Sequence, residues 1–210
     1  KPIEIVASYS TFANKGIYSS PIAITRIEDK YGRIIKEYSI DQKEVLSPET
    51  AYMVTNLLQS VVDSGTGGSL RWKYKFYAPM AGKTGTTNSK TDAWFIGFTP
   101  YIVIGIWVGM DDPQMKLGEK QYGSNAAMPI FADAIKEIYN LGNYYHLGKI
   151  VKINLKEDWE IPSGIVEKNI CKDTCCLGTD WCDSYKEYFI ENNVPSETCQ
   201  EYSNPLFRFK

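Results

Sequence analysis

The segment Tyr77–Met110, YAPMAGKTGTTNSKTDAWFIGFTPYIVIGIWVGM, decides the fold. It contains three runs with strand composition, Tyr77–Thr86, Asp92–Thr99 and Ile102–Met110, joined by short polar or Pro-containing links. Pro100-Tyr101 is tight enough for an antiparallel hairpin. Ile102–Val108 is apolar at nearly every position and therefore needs cover on both faces. These runs predict an antiparallel sheet. In it Asp92–Thr99 pairs with Ile102–Val108 on one side and with the Lys83 strand on the other, and Ile102–Val108 is an interior strand.

Helical periodicity surrounds this block. Pro2–Asn14 carries an apolar stripe at Ile3, Val6, Ala7 and Ala13, and Gly16 is placed to end it in the left-handed conformation. Two β-rich runs, 22–27 and 34–38, flank the turn Asp29-Lys30-Tyr31-Gly32 and predict a hairpin. Ser47-Pro48-Glu49 reads as an N-cap with Pro at the first helical position, and Ala51, Val54, Leu57, Leu58, Val61 and Val62 follow at helical spacing up to Gly65. Gly65-Thr66-Gly67-Gly68 is a loop. The last predicted helix runs from Ala126 to Leu141 and stops at Gly142. The order of elements is α+β: an antiparallel sheet with helices on its faces.

Beyond about Tyr144 the helical pattern fades into polar, Pro-punctuated sequence. A boundary is therefore expected near residue 150, giving segments 1–150 and 151–210. A chain of 210 residues suits one domain with a sizeable core and a small appendage. The formal net charge is −2 and the basic residues are dispersed, which argues against nucleic acid as a partner. No run approaches the roughly 20 apolar residues that span a bilayer. The chain opens Lys1-Pro2-Ile3-Glu4, without an initiating Met or signal peptide, and reads as a piece of a longer protein whose anchor would lie upstream.

All five cysteines, Cys171, Cys175, Cys176, Cys182 and Cys199, fall in the tail. Such crowding suggests disulfides and an oxidising compartment. A zinc site is the competing reading, but paired C-x-x-C knuckles are lacking and the single histidine, His146, is distant, so no metal site is expected. Cys182 and Cys199 are the leading disulfide candidates, because they would close a loop of about 17 residues around Phe189, a link on the order of 3 kcal/mol. Cys171 then pairs with one of the adjacent Cys175 and Cys176 or stays free.

The chemistry-bearing motif is Ala81-Gly82-Lys83-Thr84-Gly85-Thr86-Thr87. On a strand, Thr84 and Thr86 share a face, and Gly85 removes the Cβ that would obstruct a close backbone approach. Two hydroxyls on one face can hold a carboxylate. A backbone N–H at an open strand edge can stabilise an oxyanion, and Lys83 adds positive charge. As a bare tripeptide Lys-Thr-Gly is weak; a strand before it and a hairpin after it make it specific.

In that setting the motif is similar to the third motif of the serine β-lactamase and penicillin-binding superfamily, whose other two are S-x-x-K and S-x-N. The resemblance extends along the chain to the class A, bifunctional penicillin-binding proteins. It is carried by 5–16 (IVASYSTFANKG), 63–67 (DSGTG), 82–87 (GKTGTT), 92–100 (DAWFIGFTP), 107–112 (WVGMDD) and 127–131 (AMPIF), in order and spacing. Residues 1–150 then correspond to the carboxy-terminal part of a transpeptidase domain, with a β-lactamase-like fold that is incomplete here. Residues 151–210 correspond to a Cys-containing extension, echoed more weakly by Trp181-Cys182, Glu187–Ile190, Pro195 and Cys199.

The resemblance implies a peptidoglycan D,D-transpeptidase that works through a serine acyl-enzyme, without a cofactor, and binds stem peptides and β-lactams. It implies a site at the periplasmic or extracytoplasmic face of the membrane and the upstream half of the domain as a structural partner. By position it assigns Lys83 and Thr86 to catalysis, and Lys83, Thr84, Gly85, Thr86 and Thr87 to substrate binding. Neither S-x-x-K nor S-x-N occurs in the chain, so the fragment is expected to be inactive alone. A β-lactamase or D,D-carboxypeptidase of the same superfamily, and a non-catalytic binding module, are the alternatives.

Other residues have plainer readings. Asp92 and Trp94 are cleft candidates, but a Trp early in a buried strand is more often core. Asp111-Asp112 reads as a solvated turn, the aromatic runs 72–77 and 144–145 as packing and turn residues, and His146 as an exposed loop histidine.

Overall fold

The computed structural model describes residues 1–112, 115–146, 149–180 and 182–199. The chain forms two compact units, Lys1–Glu160 and Ile161–Lys210.

The first unit is the expected α+β assembly. Its sheet contains β5 (Ala81–Thr86), β6 (Asp92–Phe98) and β7 (Val103–Gly109), in the order β5-β6-β7 and antiparallel throughout. The pairing agrees with the sequence reading, but the interior strand is β6: β7 lies at the edge of this sheet among the described residues. Its apolar character comes instead from helices on both faces, α1 (Pro2–Ala13) and α4 (Met128–Leu141), each of which packs against it. Glycines allow the approach on the two sides. A Cβ on Gly105 would come within 2.4 Å of the Val6 side chain of α1, and one on Gly97 within 2.5 Å of the Phe131 ring of α4.

On the α4 side lies the main core. Phe95 and Phe131 meet edge to face at 4.8 Å, and Phe76 and Tyr139 at 5.0 Å, with Leu70 and Met80 fully buried among them. On the other side Tyr9 of α1 meets Phe98 at 6.3 Å. Helix α2 (Pro48–Asp63) starts where Ser47 accepts the Thr50 N–H at 3.2 Å. It is tied to α1 by the Thr55 hydroxyl, which donates to the Phe12 carbonyl at 3.2 Å, and it packs against β5. The expected stops hold: Gly142 caps α4 in the left-handed conformation, and Gly16 turns the chain out of α1 at φ +89°.

The small elements were less visible in the sequence. The 22–38 hairpin forms as β2 (Arg26–Glu28) and β3 (Ile34–Glu37), and β1 (Ile17–Ser19) and β4 (Gln42–Glu44) pair at its base. The loop at residue 65 continues into a single helical turn, α3 (Ser69–Trp72), and α4 is preceded by a π-helical turn at Gly123–Ala127. A further hairpin, β8 (Asn143–His146) and β9 (Lys149–Lys152), places His146 in a strand rather than a loop.

Residues 151–160 belong with the first unit rather than with the tail. Ile153 packs against the core, Trp159 meets Phe98 edge to face at 5.6 Å, Tyr101 donates its hydroxyl hydrogen to Glu157, and Lys15 pairs with Glu160 at 2.6 Å. No described helix is long and apolar enough to cross a membrane.

The second unit is built on a regular antiparallel hairpin of β10 (Ile165–Cys171) and β11 (Ser184–Ile190), with Leu177 bridging both Ile170 and Thr198. Trp181 and residues 200–210 lie outside the described residues.

Two turn carboxylates are held below the usual carboxylate range. Asp29 accepts N–H bonds from Arg33 and Tyr31 and a side-chain bond from Arg33 at 2.7 Å, which closes the β2–β3 turn. Asp92 accepts from the Thr91 hydroxyl at 2.7 Å and from the Trp107 indole at 2.9 Å, with Thr87 adding to the effect. It clasps the β5–β6 turn to β7.

Two predictions follow from this packing and these bonds. Phe131→Ala should destabilise the protein by about 3–5 kcal/mol. Gly97→Ala, which drives a methyl into the same ring, should cost about 1–3 kcal/mol. Equal urea midpoints for wild type and both variants would refute the packing account. Because both carboxylates have depressed folded pKa values, the stability they confer is complete above the unfolded carboxyl value near ~4 and is lost as pH falls through the lower folded values. Asp92→Asn should therefore flatten the acid limb of the stability–pH curve, and an unchanged limb would refute the clasp.

Candidate functional site

Strand β5 is the chemical edge of the first unit. Its beginning is fixed: Ala81 and Gly82 are buried, and a Cβ on Gly82 would lie 2.9 Å from the Phe95 ring. Its other end emerges, with Lys83 and Thr86 exposed and Thr84 and Gly85 half-buried. Among the described residues only one side of β5 pairs in the sheet, through Lys83↔Ile96, Thr84↔Phe95, Gly85↔Trp94 and Thr86↔Ala93.

Each hydroxyl at that end is held by a different neighbour. Thr84 Oγ1 lies 2.9 Å from Thr66 Oγ1, in the loop that follows α2. That loop is braced by Arg71, which pairs with Asp63 at 2.8 Å and donates to the carbonyls of Phe76 and Ala78, both at 2.8 Å. Thr86 Oγ1 accepts the N–H of Gly123 at 3.2 Å. Gly123 is required there: a Cβ would lie 2.3 Å from the Trp94 carbonyl oxygen and 2.7 Å from that of Gly85. Lys83 folds back to donate to the Thr84 carbonyl at 2.8 Å, leaving further N–H bonds to give.

Thr87 is placed differently. Its hydroxyl accepts the N–H groups of Thr91 and Asp92, both at 3.1 Å, and so organises the turn between β5 and β6. The structure thus brings Lys83, Thr84, Gly85 and Thr86 to one strand end, with Thr87 beginning the turn beyond it. Thr66 and Gly123 complete the arrangement. Thr66 lay within the quoted 63–67 stretch without an assigned role, and nothing in the local sequence marked Gly123.

The arrangement offers an ammonium group, two oriented hydroxyls and a strand edge, which together can hold an anionic group against a backbone donor.

The remaining candidates take structural places. Asp92 clasps Trp107, and Trp94 stands half-buried with its ring 6.5 Å from that of Trp107. Asp111 and Asp112 are exposed after β7. In the run 72–77, Phe76 is core while Trp72 and Tyr77 are exposed.

In the second unit all five cysteines are free thiols. The sulfurs of Cys171, Cys182 and Cys199 all lie within 4.8 Å of one another. The Thr174 hydroxyl, then Cys199, then the N–H groups of Thr174 and Asp173 bond to the Cys171 sulfur and lower its thiol pKa to about 6. The third sulfur was not foreseen.

Comparison with known proteins places the chain in a family. The chain is 34% identical to penicillin-binding protein 1A of Aquifex aeolicus over 201 residues, which is 95% of this chain and 25% of that protein. It is also 34% identical to penicillin-binding protein 1A of Clostridium tetani over 209 residues, 97% of this chain and 25% of that protein. It spans about a quarter of the length of these curated relatives. The crystal structure of penicillin-binding protein 1A from Haemophilus influenzae superposes with a TM-score of 0.82 at 25% identity, covering 95% of this chain and 33% of that one. Residues 161–204 match the family described as penicillin-binding protein 1A, C-terminal domain. Residues 1–136, which include the whole of the β5 site, match the penicillin binding protein transpeptidase domain, and the chain belongs to that family.

Proposed function

We propose that this chain forms the carboxylate- and oxyanion-binding wall of a serine D,D-transpeptidase that cross-links peptidoglycan stem peptides. The observation that carries this reading is the end of β5, where Lys83, Thr84 and Thr86 stand together with both hydroxyls held by fixed neighbours, Thr66 and Gly123.

The serine comes from the part of the domain upstream of Lys1. Its hydroxyl oxygen adds to the penultimate carbonyl of a stem peptide ending in D-alanyl-D-alanine, and the hydroxyl proton passes to the leaving amine. D-Alanine departs, leaving an ester. An amine of a neighbouring strand then attacks that ester, an amide forms, and the serine regains its proton. Thr84 and Thr86 donate hydroxyl hydrogens to the terminal carboxylate. The Thr86 N–H, with that of the serine, stabilises the tetrahedral oxyanion, and Lys83 contributes positive charge and a place in the proton relay. Gly85 lets the substrate backbone approach, and Thr87 holds the end of the strand in position. A β-lactam carries the same carboxylate and acyl carbonyl in one ring and is captured as a stable ester. The reaction takes place at the extracytoplasmic face of the membrane, with the anchor supplied upstream.

Labelled penicillin followed by denaturing electrophoresis tests this reading. In the full-length protein, Lys83→Ala should slow acylation by roughly 10²-fold or more. Gly123→Ala should also slow it while leaving a folded protein, since the added methyl displaces the end of β5 that positions Thr86. The 210-residue chain alone should take up no label, because no serine in it has a lysine three residues on. A stable label on the isolated chain, or a Lys83→Ala protein acylated at the wild-type rate, would overturn the assignment.

A further inference from the structure

The second unit holds a cluster that the transpeptidase reading does not use. Cys171 closes β10 and is buried, Cys182 lies in the turn before β11, and Cys199 is on the terminal segment, yet their three sulfurs lie within 4.8 Å of one another. Backbone pairing puts them there. Cys171 donates its N–H to the Cys176 carbonyl at 2.9 Å, and Leu177 and the terminal segment exchange bonds at 2.9 Å, from the Leu177 N–H to Glu197 and from the Cys199 N–H to Leu177. The Lys172–Asp183 ion pair at 2.7 Å ties the two arms of the hairpin beside the cluster.

We propose that Cys171, Cys182 and Cys199 form a three-thiolate site for a zinc ion. Tetrahedral zinc with Zn–S bonds near ~2.3 Å separates its sulfurs by roughly 3.8 Å, within reach of the spacing here after a small contraction. A disulfide needs sulfurs about 2.05 Å apart and employs only two of the three, leaving the remaining thiol pressed against the bond.

The surroundings also suit thiolate ligands. The Thr179 N–H donates to the Cys182 sulfur at 3.3 Å, and the Thr174 hydroxyl lies 3.2 Å from that of Cys199. Such outer bonds orient metal-bound sulfur and offset its charge. A set of donors made only of sulfur selects a soft or borderline cation over magnesium or calcium. Three protein ligands leave a fourth position for water or an added ligand. Zinc binding releases the thiol protons and changes no oxidation state.

The test uses the full-length protein purified without chelator. Elemental analysis should show one zinc per chain that is lost in Cys171→Ser and kept in Cys175→Ser. Zinc affinity should fall by at least roughly 10-fold in each of Cys171→Ser, Cys182→Ser and Cys199→Ser. Cobalt(II) titration of the wild-type protein gives a readout free of folding effects. A thiolate-to-cobalt charge-transfer band, together with protection of these three thiols from alkylation until chelator is added, would support the site. A Cys182–Cys199 disulfide in unreduced peptide maps of that protein, or the absence of the cobalt band, would overturn it.

Discussion

The ladder between β5 and β6, from Ala81↔Phe98 to Thr86↔Ala93, is the interaction on which the rest of the first unit depends. It serves two environments at once. Toward the core it delivers Phe95 to Phe131 and sets Gly97 under the same ring, so that α4 sits close to the sheet. Toward solvent it carries Lys83 to Thr86 out past the buried start of the strand and leaves them anchored to a dry, densely packed base. A strand end fixed in this way loses little further freedom when it takes a ligand, and that preorganisation is the main contribution a protein can make to a developing charge.

Around that ladder, contacts distant in sequence finish the site. Thr66 is 18 residues from Thr84, and Gly123 is 37 from Thr86. Arg71 holds the first of these loops by bonding to Asp63 at one end and to the carbonyls of Phe76 and Ala78 at the other. The second depends on steric room, because at Gly123 the π-helical turn rests directly on the backbone of β6 and β5. One loop is held by charge-assisted bonds and the other by the lack of a side chain.

These distances explain which features could be read in the sequence. The three sheet strands, the helices α1, α2 and α4 and the stops at Gly16 and Gly142 follow from periodicity and local backbone preference, which act over a few residues. Lys83, Thr84 and Thr86 stood out because their motif is contiguous. The pairs β1–β4 and β8–β9 did not, because strands of three or four residues are too short to show alternation. In β10 the exposed run Glu167-Lys168-Asn169 masks the strand, whose pairing with β11 is decided by register rather than by an apolar stripe. Among the described residues Ile102–Val108 lies at the edge of the sheet, because an apolar strand reports that both its faces are covered, here by α1 and α4, and not how many strands pair with it.

Hydrogen-bond direction at β5 links the fold to the proposed chemistry. A hydroxyl has one hydrogen to give and two lone pairs to receive. At Thr86 the Gly123 N–H can only donate, so Thr86 Oγ1 accepts there and keeps its own hydrogen for another partner. At Thr84 the contact with Thr66 can run either way, but a carboxylate on the open side accepts only. Its arrival would fix the order as Thr66 donating to Thr84 and Thr84 donating to the ligand, a chain in which each bond strengthens the next. The same logic gives Lys83 its place. It already donates to the Thr84 carbonyl, and its remaining N–H groups supply charge beside the two hydroxyls without competing for their hydrogens. With both hydroxyls held by neighbouring groups and the Lys83 ammonium beside them, the strand end favours an anion there, which is what the proposed carboxylate contact requires.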